Sequence, residues 1–233
     1  MTSEEFHQLT HWVRDRKHAP AALFFGGLDD WHSRAHLAHF LAMPDMEHGD
    51  EALELFRSVV EAEVDEEKAP DVEEKVFALQ RLAELERARD EKEPALRHIN
   101  QAIELAESTD FLYRYVLRGD LWAARWNLLH KMGRTEEAEG ECDERLAAYE
   151  DIPLQSNSYV YYGYRFKAHL AAEKGEIFVA KDYMHMALHA MAIPDEAKPA
   201  IDEAFAATHE NIAFILNDID RVTPPPETLS WDI

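Results

Sequence analysis

Apolar side chains recur along this chain at intervals of three and four, the spacing that lines one face of a helix. Few stretches alternate apolar with polar as a half-buried strand would. Four helical stretches stand out, residues 29–43, 71–91, 110–132 and 158–174, and each is followed by a second. The second stretches carry an alanine near their start: Ala52, Ala95, Ala138 and Ala180, separated by 43, 43 and 42 residues. Apolar residues follow the alanines three or four places on and again seven or eight places on. The pattern predicts a repeated unit of two antiparallel helices. The small side chain lets the second helix approach the first, and the larger residue four later fills the gap beyond the crossing.

The punctuation between stretches agrees. Gly133 and Gly175 suit the left-handed residue that ends a helix. Asp71 with Glu74 reads as a capping box, Pro94 as the first residue of its helix, and Thr135 as the cap of the helix that carries Ala138. Ahead of the units, residues 3–17 read as an amphipathic helix with Phe6, Leu9, Trp12 and Val13 on one face. Behind them, a closing helix from Pro199 would turn Ile201, Phe205, Ile212, Ile215 and Leu216 inward. The tail cannot be helical through Pro224, Pro225 and Pro226. The expected organisation is a capping helix and connector over 1–28, four helical repeats over 29–193, a second capping helix over 194–222, and an extended tail over 223–233.

These features resemble the tetratricopeptide-repeat family, which pairs two helices per unit. In that family a small residue stands near the front of the second helix, a bulky one four later and another small one three after that. Ala95, Ile99 and Ala102 match the triplet in full, as do Ala180, Met184 and Ala187. Ala52, Phe56 and Val59 match its first two places, and so do Ala138 and Cys142, whereas Arg145 does not match the third. Trp122 and Tyr164 match the family's aromatic position in the first helix, and Gly133 and Gly175 its turn glycine. The resemblance covers about Asp29 to Ile193. It departs in period, which is 42 to 43 here against about 34 in the family. Long units of this kind resemble those of kinesin light chains and some bacterial regulators. The resemblance implies an all-α, right-handed superhelical solenoid of stacked antiparallel helix pairs, about ten helices with the two caps.

Charge narrows the set of partners. The chain of 233 residues carries 47 acidic against 24 basic residues, a formal net charge of −23. Nucleic-acid binding through phosphates, or attraction to an anionic membrane, would need the opposite sign. The acidity suits a solvated surface or a basic partner. A single cysteine, Cys142, excludes an intramolecular disulfide and falls at a buried helix position. The start, "MTSEEFHQLTHWV", has no long apolar stretch and is not expected to be a secretory signal. No run approaches the length of a membrane span, so a cytoplasmic location is expected.

Signatures of catalysis are missing: there is no G-x-S-x-G, no G-x-x-x-x-G-K-[ST] and no G-x-G-x-x-G. No enzymatic activity and no cofactor are expected. Thirteen histidines include the four-spaced pairs His7 and His11, His32 and His36, and His185 and His189. His32, His36 and His39, with Asp29, Asp30 or His48 nearby, are the metal-binding alternative, set against ordinary surface or packing histidines.

The resemblance also implies a ligand groove lined by the first helix of each unit. Its register places Gln80, Glu84 and Arg87, then Asn127 and His130, then Tyr162, Arg165 and His169 in that groove, with Arg118 as an extension. Aromatic residues and arginine are enriched where binding energy concentrates. At the places where some members hold a peptide's terminal carboxylate, this chain has Leu37, Leu41, Gln80, Glu84, Ala123, Asn127, Arg165 and His169. Only Asn127 is of the right type there, so a clamp of that kind is not expected. The leading expectation is a non-catalytic module that holds a protein or peptide segment, a basic one by charge. Metal binding through histidines and self-assembly into homo-oligomers through edge helices or the Trp231 tail stand as alternatives.

Overall fold

The computed structural model of the chain describes residues 3–14, 21, 26–43, 48–65, 67–109, 114–149 and 157–190. Among them the regular structure is helical throughout, with no strand. The helices are α1 (Ser3–Arg14), α2 (Trp31–Leu41), α3 (Gly49–Val60), α4 (Ala69–Ala88), α5 (Lys92–Ser108), α6 (Arg114–Lys131), α7 (Thr135–Tyr149), α8 (Asn157–Glu173) and α9 (Ile177–Ala190). The expected closing helix from Pro199, the tail and the side chains of Phe6 and Val13 lie outside the described residues. Among the described residues no helix is long and apolar enough to cross a membrane.

Two compact units divide the chain, residues 1–114 and 115–233. In the first, α2 packs on α3, α3 on α4 and α4 on α5, and α2 also touches α4. Leu9 of α1 is fully buried in the same core as Leu41 and Phe56, with Trp12 packed against it. In the second unit, α7 packs on α8 and α8 on α9. Helix α6 meets α7 through Arg125, whose Nε lies 2.8 Å from Glu141 Oε2. It meets α8 through the rings of Trp126 and Phe166, 5.8 Å apart.

The alanine period has a backbone counterpart. Ala52, Ala95, Ala138 and Ala180 each donate an amide hydrogen bond to the residue four places earlier. The acceptors are the carbonyls of His48, Glu91, Arg134 and Glu176, at 2.9–3.1 Å. These are the first bonds of α3, α5, α7 and α9, so the alanine occupies the same place in every second helix, and all four are fully buried. Phe56, Ile99, Cys142 and Met184, four further on, are buried too. Three places beyond those, Val59, Ala102 and Ala187 are fully buried. Arg145 takes the fourth such place, with its guanidinium 4.1 Å from the centre of the Trp122 ring. A cation stacked on an aromatic face thus stands where the other units bury an apolar side chain.

Three turns close in the same way. Beyond α6, Gly133 has φ +80° and Arg134 N donates to Leu129 O at 2.9 Å; beyond α8, Gly175 has φ +77° and Glu176 N donates to Ala171 O at 2.9 Å. Beyond α4, Asp90 has φ 63° and Glu91 N donates to Glu86 O at 2.9 Å. The left-handed residue lets the following amide reach back to a carbonyl the helix leaves unpaired. Arg134, Glu176 and Glu91 then accept the first bond of the next helix, so one residue finishes one helix and begins the other. Asp90 is the strained member, since a side chain in this conformation costs free energy that glycine avoids. Asp90→Gly is expected to stabilise the first unit by about 0.5–1 kcal/mol, after the extra entropy of an unfolded glycine is counted. The measurement is the urea midpoint at unchanged m-value; a lower midpoint would show that Asp90 contributes more than its backbone conformation costs.

Some local expectations need correction. Helix α4 begins two residues ahead of Asp71, with Pro70 in its first turn and the Lys68 carbonyl accepting from Val72 N at 3.1 Å. A proline loses nothing at a helix start, where its missing N–H would be unpaired anyway, so the helix extends through it and Asp71 lies inside the first turn rather than at the cap. Pro94 is the third residue of α5, not the first. Thr135 is already within α7, and its hydroxyl lies 2.9 Å from His130 Nδ1.

Two glycines inside helices mark where backbones come closest. A Cβ on Gly119 of α6 would lie 2.5 Å from the backbone of Ser158 in α8, and one on Gly163 of α8 would lie 2.9 Å from Leu146 Cδ2 in α7. Glycine weakens a helix interior, and at Gly119 it allows a backbone approach that leaves no room for a side chain. Gly119 with Ser158, and His130 with His169, are both separated by 39 residues, as are His32 and Asp71 in the first unit. In both units the first helices of successive pairs therefore lie side by side and run in the same direction, as His39 with Glu74 also shows in the first unit.

Candidate functional site

Parallel packing of α6 on α8 decides which side chains of the second unit share a face. On α6, Asn127 and His130 are three apart; on α8, Tyr162, Arg165 and His169 follow at three and four. Residues so spaced fall on one side of a helix. The two rows meet at His130 and His169, whose rings stand edge to face with centres 6.1 Å apart. Tyr162 and Arg165 are both half-buried. The Arg165 guanidinium lies 5.3 Å from the Tyr161 ring centre and 6.0 Å from that of Tyr162, and the two tyrosine rings are perpendicular neighbours at 5.1 Å. Arg165 is thus braced against aromatic faces, a geometry that fixes a guanidinium with little entropy left to lose. Asn127 turns back on its own helix, with Nδ2 donating to Ala123 O at 2.8 Å. Arg118 is half-buried.

The residues expected in the first unit are less uniform. Gln80 of α4 is buried, Glu84 is half-buried and accepts from Arg81 Nη1 at 2.6 Å, and Arg87 is exposed. They follow one another at helical spacing on α4, yet Gln80 is turned into packing. Polar character alone could not tell a groove residue from a buried amide at that position.

His130, His169 and Glu173 converge at the C-terminal ends of α6 and α8. His130 Nε2 lies 2.9 Å from Glu173 Oε2, and His169 Nε2 lies 3.1 Å from Glu173 Oε1. The other nitrogen of His130 is held by the Thr135 hydroxyl. Burial lowers the pKa of His169; Glu173 pulls the other way, and His130 and Lys131 reinforce the fall. Near neutral pH the contact from His169 to Glu173 is therefore a hydrogen bond from a neutral ring rather than an ion pair. Glu173 and Thr135 are not marked as site residues by the sequence. The "H-x-x-x-E" spacing of His169 and Glu173 is visible there, but the convergence with His130 depends on how α6 and α8 align.

Of the alternative metal set, His32 and His39 engage separate carboxylates. His32 Nε2 lies 3.5 Å from Asp71 Oδ1, His39 Nε2 lies 3.7 Å from Glu74 Oε1, and His36 is exposed. Burial, then the positive charges of Arg81 and His36, hold His39 down to about 4, so it stays neutral at pH 7 in spite of Glu74. Burial raises the Glu74 pKa, against the pull of His36 and His32. Among the described residues, the set of three metal-type side chains whose donor atoms all lie within 4.8 Å is His130, His169 and Glu173. Burial likewise pushes the Cys142 thiol up to about 12, which leaves it protonated and unreactive at neutral pH.

No family model, no curated protein and no solved structure matches this chain.

Proposed function

We propose that the chain is a tetratricopeptide-like protein of stacked helix pairs, and that it works as a non-catalytic module holding a protein or peptide segment on the face of its first helices. The observation that carries this reading is the shared face of α6 and α8, where Tyr162, Arg165, His130 and His169 stand together with rings already braced. Preformed side chains lose little entropy on binding. The recurring alanine place, the like-built turns and the parallel run of α2 beside α4 and of α6 beside α8 support the repeat architecture. A net charge of −23 favours a basic or arginine-bearing segment, and the acidic chain is not expected to engage nucleic acid or membranes.

The test is a peptide array of mixed charge probed with the full chain, followed by titration of the strongest binders. Basic sequences are expected to dominate. The double variant Tyr162→Ala with Arg165→Ala should weaken binding at least about tenfold while circular dichroism stays unchanged, since truncating central aromatic and arginine anchors typically costs more than 1–2 kcal/mol. Binding that survives the double change undiminished would remove this face from the reading.

A further inference from the structure

We propose that His130, His169 and Glu173 bind one divalent transition-metal ion of the zinc type. This stands on the cluster itself and does not depend on the peptide-binding reading. The donor groups already converge: the two imidazole nitrogens lie 2.9 and 3.1 Å from the two different oxygens of Glu173, and one donor atom from each residue lies within 4.8 Å of the other two. Ligands at about 2.0–2.2 Å around a tetrahedral zinc stand about 3.4 Å apart. Small side-chain rotations would therefore open the cluster to the ion without moving a helix.

Three further features favour a cation. The first is the Thr135 hydroxyl on His130 Nδ1, which fixes the ring so that Nε2 faces the centre, the outer support that ligating histidines commonly have. The second is position: α6 ends at Lys131 and α8 at Glu173, so the carbonyl ends of two helix dipoles, which attract positive charge, lie beside the cluster. The third is that Lys174, the neighbour of Glu173, is held on Glu139 Oε1 at 3.2 Å. Two imidazoles and a carboxylate are a zinc-type donor set. With three protein ligands and Glu173 about half exposed, a fourth position on the metal faces solvent and would carry water or a donor from a bound molecule.

The experiment uses the full, tag-free chain, stripped with chelator, loaded with zinc and dialysed. The wild type is expected to retain one zinc equivalent more than a His130→Ala/His169→Ala variant. Cobalt in place of zinc should give a visible absorption band in the wild type that the variant lacks. Glu173→Gln, an exposed change that keeps side-chain shape and carries the test if the double variant misfolds, should weaken zinc binding at least tenfold. Thr135→Ala should weaken it about tenfold through the His130 ring, and His36→Ala should leave it unchanged. Equal zinc content in the wild type and Glu173→Gln, with no cobalt band in either, would overturn the proposal and leave a triad joined by hydrogen bonds only.

Discussion

Trp126→Ala is expected to destabilise the second unit by about 3–5 kcal/mol, the cost of emptying a large aromatic site in a packed interior. Trp126 is fully buried in α6 and stands between the rings of Trp122, 6.1 Å away, and Phe166, 5.8 Å away. Its loss removes apolar area and both ring contacts, and the helices around it cannot close the hole completely. Trp126→Phe should behave differently. The indole Nε1 is buried with no hydrogen-bond partner among the described residues, so the native residue already carries a desolvation penalty of about 1–3 kcal/mol. Phenylalanine removes that penalty while keeping most of the volume, and a net loss within about 1.5 kcal/mol is expected. Urea unfolding followed by circular dichroism reads both. If phenylalanine costs as much as alanine, the indole nitrogen has a partner and the packing described for this site is wrong.

The second large effect contrasts two glycines under the same substitution. In α6, Gly119→Ala places a methyl 2.5 Å from backbone atoms of Ser158, which cannot swing aside. Alanine is the better helix former by about 1 kcal/mol, yet the clash should outweigh it and leave a net loss of about 1–3 kcal/mol. In α7, Gly140 is exposed and an added methyl would meet nothing within 4 Å. Gly140→Ala should therefore stabilise by about 0.5–1 kcal/mol, the propensity gain alone. Thermal midpoints of the two variants should move in opposite directions. A rise in both would mean that α6 and α8 do not approach as closely as described.

Features legible in the amino-acid sequence are local or periodic. The alanine at the first hydrogen bond of each second helix, the turn glycines Gly133 and Gly175, the burial of Leu9 and Cys142 and the all-helical character follow from spacing and from the backbone habits of single residues. Asp90 stands 43 residues before Gly133 and so shares its place in the period, but aspartate does not announce a left-handed turn as glycine does. Features hidden from the sequence depend on how one helix lies against another. The close approach at Gly119, the stacking of Arg145 on Trp122, the diversion of the Thr135 hydroxyl to His130 and the placing of Glu173 between two histidines are set by register across helices. Among the candidate groove residues, the register implied by the repeat resemblance puts His130 and His169 at matching places. It cannot show that Gln80 is buried or that Asn127 folds back onto its own helix.

The joints at Glu91, Arg134 and Glu176, where each residue belongs to two helices at once, leave no spare chain in these bends. An inserted residue there would have to break either the carbonyl closure behind it or the opening amide bond ahead of it. Epitopes, fluorophores or fused domains spliced into this protein will therefore be tolerated least at those three corners, however exposed they look.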